Sequence, residues 1–348
     1  MVDWSLARQI ARFAAGSQPN PDLEFDFDAA VVDAEQHLSE YTSLALTAPI
    51  PEPERVDRAQ WAEINLGAMS DLLGPVTERL ATRLNGAGPL AGPLRATLGA
   101  TIAAEAGLVM GYMSQRVLGQ YELSLLQPEQ TPRLLFVTPN LGRAVAELKI
   151  DRDSFLGWVV LHELTHVFQF SGVGWLRGHL GGLLEEYLAT VDVRVERGAA
   201  GGLPSIPNLQ RLVELFREGG LIALVQTREQ RRILDGVQAT MAVIEGYSEH
   251  VMDAVGERVL PHYGGLREAM ERRRRSRSAP ERILQRLLGL DMKMRQYEIG
   301  KSFCDAVVEQ RGIESLNRVW SSPQALPTMA ELKNPAAWIE RLDAPLAA

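Results

Sequence analysis

The segment Asp151–Phe170 constrains the fold most, because it is apolar on almost every face once it is wound into a helix. Asp151 and Ser154 are typical of a helix N-terminus, and Gly172 and Gly174 are typical of a helix end. Such a helix has to lie inside the protein, with other elements covering all of its sides. Helical patterning also dominates the rest of the chain, which predicts a mainly α-helical protein.

Two short segments have the pattern of strands instead. Tyr121–Leu126 is one, and Arg133–Thr138 contains an apolar run that ends before Pro139. We expect them to pair, so the predicted fold class is mainly α with a small β-sheet (α+β). We divide the chain into a helical N-terminal region, residues 1–115, packed on a metal-binding region, residues 116–348, with the two forming one intimate unit.

The composition indicates an ordinary globular protein. The chain has 348 residues, of which 46% are apolar and 23% charged, and its formal net charge is -8. We expect no general affinity for nucleic acid or anionic membranes, because both attract basic surfaces. A single cysteine, Cys304, excludes an internal disulfide and a multi-thiolate metal site. Any metal must therefore be bound by histidines and carboxylates.

Three further segments bear on location and partners. Met1–Gly16 lacks the uninterrupted apolar region of a signal peptide, so we expect a cytoplasmic protein. Leu98–Met113 is apolar but is interrupted by Glu105 and is shorter than a bilayer requires, which favours a buried helix over a membrane span. The basic run Glu271–Ser278 lacks interleaved aromatics, which favours a solvated loop over a nucleic-acid-binding arm.

The predicted buried helix carries His162, Glu163 and His166 in a His-Glu-x-x-His pattern. Histidines four residues apart project from one helix face one turn apart, as two ligands of one zinc ion require. Glu163 is displaced from His162 by about 100° around the helix, where it can act as general base on a metal-activated water. The pattern predicts a zinc-dependent hydrolase that attacks a peptide or amide carbonyl. Alternatively, the two histidines hydrogen-bond to the backbone or to each other.

A third protein ligand is expected elsewhere, because catalytic zinc sites normally have three. Glu245 begins an acidic stripe on a second predicted helix, and Glu249 and Asp253 follow it on the same face. We favour Glu245 as the ligand, with Glu249 or Asp253 accepting the free ring N–H of a liganding histidine. Glu185, nineteen residues after His166, is the alternative third ligand.

These two helices resemble those of the glutamate zincins, the thermolysin and aminopeptidase group, in which a Glu-Gly-x-x-Glu-like helix supplies the third ligand. Those families usually place that glutamate much sooner, whereas 78 residues separate His166 from Glu245 here.

A second resemblance covers most of the chain and is to the bacterial zincin-like metallopeptidase family associated with biosynthesis of the deazaflavin coenzyme. Besides the His-Glu-x-x-His helix, it is carried by Arg55–Leu66, Glu245–Asp253, Met294–Phe303 and Val319–Thr328. The resemblance implies a mostly helical zincin-like fold and a hydrolase. The link to the coenzyme is one of genomic association and does not indicate which bond is cut.

Two further hypotheses concern the substrate and the function class. Leu134–Val137 could hold an extended substrate by edge pairing of a strand. The alternative function is a non-catalytic zinc-binding scaffold or partner protein, in which Glu185 and Glu245 would both bind the metal and close its fourth position. Glu163 disfavours this alternative, since a structural zinc site has no need of a base beside its ligands.

Overall fold

The structure, a computed structural model, describes residues 2–18, 20–84, 91–127, 129–190, 227–275 and 290–344. Most of these residues are helical, and the strands form one small sheet, which confirms the predicted fold class. The helices are α1 (Trp4–Ala15), α2 (Phe27–Thr42), α3 (Arg58–Leu84), α4 (Ala91–Ser114), α5 (Thr138–Leu148), α6 (Arg152–Gly172), α7 (Leu176–Thr190), α8 (Arg228–Val259), α9 (Tyr263–Arg275), α10 (Leu290–Asn317), α11 (Met329–Leu332) and α12 (Pro335–Asp343). The strands are β1 (Pro53–Val56), β2 (Gly119–Glu122) and β3 (Arg133–Val137).

The sheet has the order β1-β3-β2, with β1 parallel and β2 antiparallel to β3. The predicted pairing of the second and third strands is confirmed, although β2 begins two residues earlier than Tyr121. The parallel strand β1 was missed, because the prolines of residues 49–53 indicate a turn, yet proline is tolerated as the first residue of an edge strand. Both edges of β3 are covered by other strands. The hypothesis that Leu134–Val137 bind a substrate by edge pairing is therefore wrong.

The central strand β3 is apolar on both faces and separates two hydrophobic cores. Leu134 and Phe136 pack into the larger core, whereas Leu135 and Val137 pack into a smaller one with α1, α3 and α4. Alternate residues of a strand point to opposite faces, so each core receives one pair. All four side chains are fully buried.

The helix α6 runs through the larger core, as the sequence predicts. Asp151 caps it by accepting a hydrogen bond from the Ser154 N–H at 2.8 Å. Helices α2 and α8 and strand β2 all contact it. Most side chains from Ser154 to Gln169 are consequently buried.

The helices α8 and α10 cross with their backbones in contact. A Cβ at Gly300 would lie 1.9 Å from the carbonyl oxygen of Ala242, and one at Gly246 would lie 2.2 Å from the carbonyl carbon of Gly300. Only glycine fits at both positions of such a crossing. Gly246 directly follows Glu245, so the crossing holds in place the turn of α8 that carries this glutamate.

The apolar helix α4 is buried only on the side that faces α1 and α3. A Cβ at Gly107 would lie 2.5 Å from the carbonyl oxygen of Ala7, so the two backbones are close. However, only 28% of the most apolar stretch of α4 is buried, and Leu108 is 57% exposed. The expectation of a buried helix is therefore wrong for the outer face. Within the described ranges, α4 alone is long and apolar enough to cross a membrane, by length and composition only.

Two other predictions concern the basic run Glu271–Ser278 and the division of the chain at residue 115. Glu271–Arg275 continues α9 instead of forming a loop, because charge pairs one turn apart support the helix, for example Arg272 with Glu268 at 3.5 Å. Residues 276–278 lie outside the described residues.

The division at residue 115 stays a prediction, and α2 from the N-terminal region packs on α6 and α8 in the larger core.

Candidate metal centre

Three of the predicted site residues come together between α6 and α8. Ligand-capable atoms of His162, His166 and Glu245 all lie within 4.8 Å of one another. The Nε2 atoms of the two histidines are 3.3 Å apart, and Nε2 of His166 is 3.9 Å from Oε2 of Glu245. The side chains of His166 and Glu245 are 13% and 12% exposed. The group is therefore nearly buried but retains some contact with solvent.

The alternative third ligand, Glu185, lies on α7 and is exposed. Its neighbour Glu186 pairs with Arg232 of α8. Glu185 does not belong to the three-residue group found in the described part of the chain. The geometry therefore favours Glu245 over Glu185.

Gln169 determines which ring nitrogen of His166 carries the proton. Its Nε2 donates a hydrogen bond to the carbonyl oxygen of Ile244 at 2.8 Å, which leaves Oε1 facing Nδ1 of His166 at 2.9 Å. The amide oxygen can only accept, so Nδ1 is the donor. In a neutral imidazole the other nitrogen then has a lone pair. Nε2 of His166 therefore directs a lone pair at the group.

The contacts of His162 also favour the tautomer with the proton on Nδ1. Its Nδ1 lies 2.9 Å from Sδ of Met252 and 3.2 Å from Oγ of Ser248. A thioether sulfur has no proton to donate, so this contact favours the tautomer with the proton on Nδ1. Nε2 of His162 then also carries a lone pair.

The acidic stripe of α8 does not stay beside the histidines. Asp253 instead accepts a hydrogen bond from the Tyr263 hydroxyl at 2.6 Å and pairs with Arg267 and Lys301. The prediction that Asp253 orients a liganding histidine is therefore wrong. Asp253 lies eight residues after Glu245, so at about 100° per residue its side chain is displaced from that of Glu245 by about 80° around the helix.

Glu249, one turn after Glu245, is partly buried. Its negative charge helps to raise the pKa of Tyr263, although burial of that phenol is the largest cause. Its predicted role beside a liganding histidine stays a prediction.

The donor set fits a zinc ion. Two nitrogens at about 2.0–2.1 Å from a tetrahedral zinc lie about 3.3–3.4 Å apart, which matches the 3.3 Å between the Nε2 atoms of His162 and His166. Two lone pairs at this distance repel each other unless a cation lies between them. A hydrogen bond between the rings would need a proton on one Nε2, which the contacts of both Nδ1 atoms disfavour. Nε2 of His166 and Oε2 of Glu245, at 3.9 Å, are about 0.5 Å further apart than two ligand atoms of one tetrahedral zinc.

Glu163 lies beside the group and is 6% exposed. Its Oε2 accepts a hydrogen bond from the backbone N–H of Tyr121 in β2 at 3.0 Å. Burial raises the pKa of Glu163 to about 8, opposed by the Tyr121 hydrogen bond and reinforced by the charge of Glu245. A carboxyl group whose pKa is near neutral suits proton transfer in either direction at physiological pH.

The strand beside this site is β2, an edge strand of the three-stranded sheet. The Val137 N–H donates to the carbonyl oxygen of Leu118 at 2.9 Å. Because antiparallel pairing alternates, the backbone groups of Gly119 and Tyr121 then point away from β3. The hydrogen bond from Tyr121 to Glu163 follows that direction.

Sequence reasoning missed Gln169, Ser248, Met252 and the role of β2. Gln169 had a usable signal, since it follows His166 by three residues and such pairs are neighbours on a helix surface. Ser248 and Met252 had none, because their contact with His162 depends on how α8 packs against α6.

Comparisons with known proteins identify a matching family and a similar crystal structure. The sequence profile of a family described as zincin-like metallopeptidase matches residues 2–339. The chain is also similar to a crystal structure from Chloroflexus aurantiacus described as "a putative hydrolase with a novel fold", with 31% identity and a TM-score of 0.73. That similarity covers 99% of this chain and 100% of the other. No curated protein matches this chain.

Proposed function

This chain belongs to the zincin-like metallopeptidase family, and on that premise we propose that it is a zinc-dependent hydrolase of peptide or amide bonds. In this proposal His162, His166 and Glu245 bind the metal, and Glu163 is the general base. The observation that carries it is the 3.3 Å distance between the Nε2 atoms of His162 and His166, with the buried carboxyl group of Glu163 beside them.

The roles of the protein groups follow from their positions. When bound, zinc would polarise the scissile carbonyl and acidify water. Glu163 takes a proton from the attacking water and returns it to the leaving amine. The backbone N–H of Tyr121 holds Oε2 of Glu163 at 3.0 Å, which leaves Oε1 for the transferred proton.

The outer edge of β2 supports an extended peptide as the substrate. Gly119 directs its backbone groups to this edge, directly beside Glu163. A peptide laid along the edge could bind these groups as an additional strand. This would bring the scissile carbonyl to the base without any specific side-chain pocket.

The experiment combines metal analysis with a hydrolysis assay. Wild type, His162→Ala and Glu163→Gln are purified without chelator, their zinc is measured by mass spectrometry, and a peptide mixture is analysed for new termini. We expect about one zinc per chain in wild type and Glu163→Gln, and its loss in His162→Ala. Cleavage should fall by about 100-fold or more in Glu163→Gln. Wild type that holds no zinc after resupply would refute the proposal.

The non-catalytic alternative is disfavoured by the ligand count. Within the described residues the group has three members, and Glu185 is not one of them. Three protein ligands leave a coordination position open, as catalytic sites do, whereas structural sites fill it with protein. Zinc retained in both wild type and Glu163→Gln, with no cleavage of the peptide mixture by either, would favour this alternative.

A further inference from the structure

We propose that Gln169 is a positioning residue that couples the two ligand-bearing helices: one amide holds His166 in its metal-binding tautomer and fixes the turn of α8 that carries Glu245. The inference rests on the proposed function, because it concerns the same site. It adds a residue outside the His-Glu-x-x-His pattern and an expected effect on metal affinity.

The amide of Gln169 is used at both ends. Oε1 accepts from Nδ1 of His166 at 2.9 Å, and Nε2 donates to the Ile244 carbonyl at 2.8 Å. Ile244 directly precedes Glu245, so the second bond fixes α8 next to the third ligand. Rotating the amide by 180° would place two donors against each other at His166 and two acceptors at Ile244. The network therefore permits one amide orientation and one tautomer of neutral His166.

The burial of Gln169 makes this arrangement specific. The residue is 0% exposed, and a buried amide is costly unless its hydrogen bonds are satisfied. An apolar side chain of the same length would fill the volume without that requirement. Gln169 instead forms hydrogen bonds with His166, a candidate ligand, and with Ile244, the residue before the candidate ligand Glu245. Such bonds are expected of groups that orient metal ligands.

A purely structural role for Gln169 makes a different prediction, and two substitutions separate the roles. Gln169→Met keeps the volume but removes the donor to Ile244 and replaces the amide oxygen that faces His166 by a thioether sulfur, which is a much weaker acceptor. Gln169→Glu keeps an acceptor for Nδ1 of His166 but places an ionisable group in a buried position, which costs stability. If Gln169 positions the ligand, the glutamate variant binds zinc more tightly than the methionine variant although it is the less stable protein. If it only stabilises the fold, affinity and stability follow the same order.

The experiment measures two quantities on each full-length variant at one fixed pH. The zinc dissociation constant is obtained by competition with a chromophoric chelator, and the stability of the zinc-free protein by urea unfolding. Thr165→Val is the matched control. Thr165 is equally buried on α6, but within the described residues its hydroxyl bonds only to the carbonyl of Leu161 in the same helix, at 2.8 Å. We expect unchanged zinc affinity in this control.

For Gln169→Met we expect zinc affinity to fall by about 10- to 100-fold, the range typical of groups that orient ligands, and Gln169→Glu should recover most of the loss. Should the methionine variant not fold, Gln169→Asn tests the same point, since its shorter amide cannot reach both partners. Tight zinc binding by wild type and equally tight binding by Gln169→Met would overturn this inference alone. Absence of zinc binding in wild type would overturn the proposed function with it.

Discussion

The carboxylate of Glu163 occupies the space that a side chain at position 119 would need. A Cβ at Gly119 would lie 2.7 Å from Cγ and 2.8 Å from Oε1 of Glu163. Real Cβ contacts are essentially never this short, so an added methyl group has to displace the carboxylate or push β2 away from α6. The absence of a side chain at Gly119 is therefore part of the geometry of the proposed base.

Gly119→Ala should lower peptide hydrolysis by about 10- to 100-fold, because a displacement of about 1 Å at a reacting group has effects of this size. Zinc content should stay at the wild-type level, since the ligands are not touched. Gly182→Ala on α7 is the control, because its Cβ would meet no described atom within 4 Å. Wild-type activity in Gly119→Ala would contradict the role assigned to Glu163.

The choice of third ligand can be tested by two glutamate substitutions that remove the same charge. Glu245→Gln should weaken zinc binding by more than about 100-fold, beyond the range typical of groups that only orient ligands. Glu185→Gln should leave the affinity unchanged, because Glu185 is exposed and outside the group. Chelator competition measures both, and the reverse result would transfer the ligand role to α7.

The crossing of α8 and α10 predicts a large stability difference between two glycine substitutions. Gly300→Ala would place a methyl group 1.9 Å from the Ala242 carbonyl oxygen, and we expect a loss of about 3 kcal/mol or more in the free energy of unfolding. A Cβ at Gly236 on α8 would meet, among the described residues, only the Leu183 side chain, at 3.6 Å. The control Gly236→Ala should be neutral or stabilising by up to about 1 kcal/mol, because alanine favours helices. Urea unfolding distinguishes the two outcomes.

The far side of α8 carries an acid-sensitive ion pair. Asp305 accepts a hydrogen bond from Nδ1 of His250 at 2.8 Å and another from Lys301, and Nε2 of His250 bonds to the Tyr41 hydroxyl at 2.8 Å. Burial alone would raise the pKa of Asp305, but the hydrogen bonds from His250 and Lys301 outweigh it and hold the pKa below its ordinary value.

A lowered pKa stabilises the fold above the unfolded-state value of about 3.9, and this stabilisation is lost as pH falls through the folded-state pKa. Asp305→Asn should therefore reduce the free energy of unfolding at pH 7, by no more than about 1 kcal/mol since the side chain is 44% exposed. The difference from wild type should disappear in acid. Glu309→Gln, exposed on the same helix, is the control, and a pH-independent difference would contradict the assignment.

The part of the site that lies within one helix could be predicted from the sequence. His162, Glu163 and His166 are related by helix periodicity alone, and Asp151 marks the start of their helix. The periodicity also brought Glu245 into consideration, but the structure was needed to favour it over Glu185, because 78 residues separate it from His166.

Contacts between elements could not be predicted in this way. Asp253 has the right spacing for a second carboxylate at the site, yet Arg267 and Lys301 approach it from neighbouring helices. Gly119 gives no sign in the sequence that it lies against Glu163. Such relationships depend on how helices and strands pack, which no local pattern encodes.

The bond from Gln169 to Ile244 ends on a main-chain carbonyl, and this has a consequence for evolution. Any amino acid at position 244 presents the same carbonyl as long as α8 remains a helix. The side chain at position 244 can therefore change during evolution without breaking the hydrogen bond between the two ligand-bearing helices, whereas the side chain at position 169 cannot. A natural variant that keeps both histidines but has weakened metal binding should be sought first at position 169.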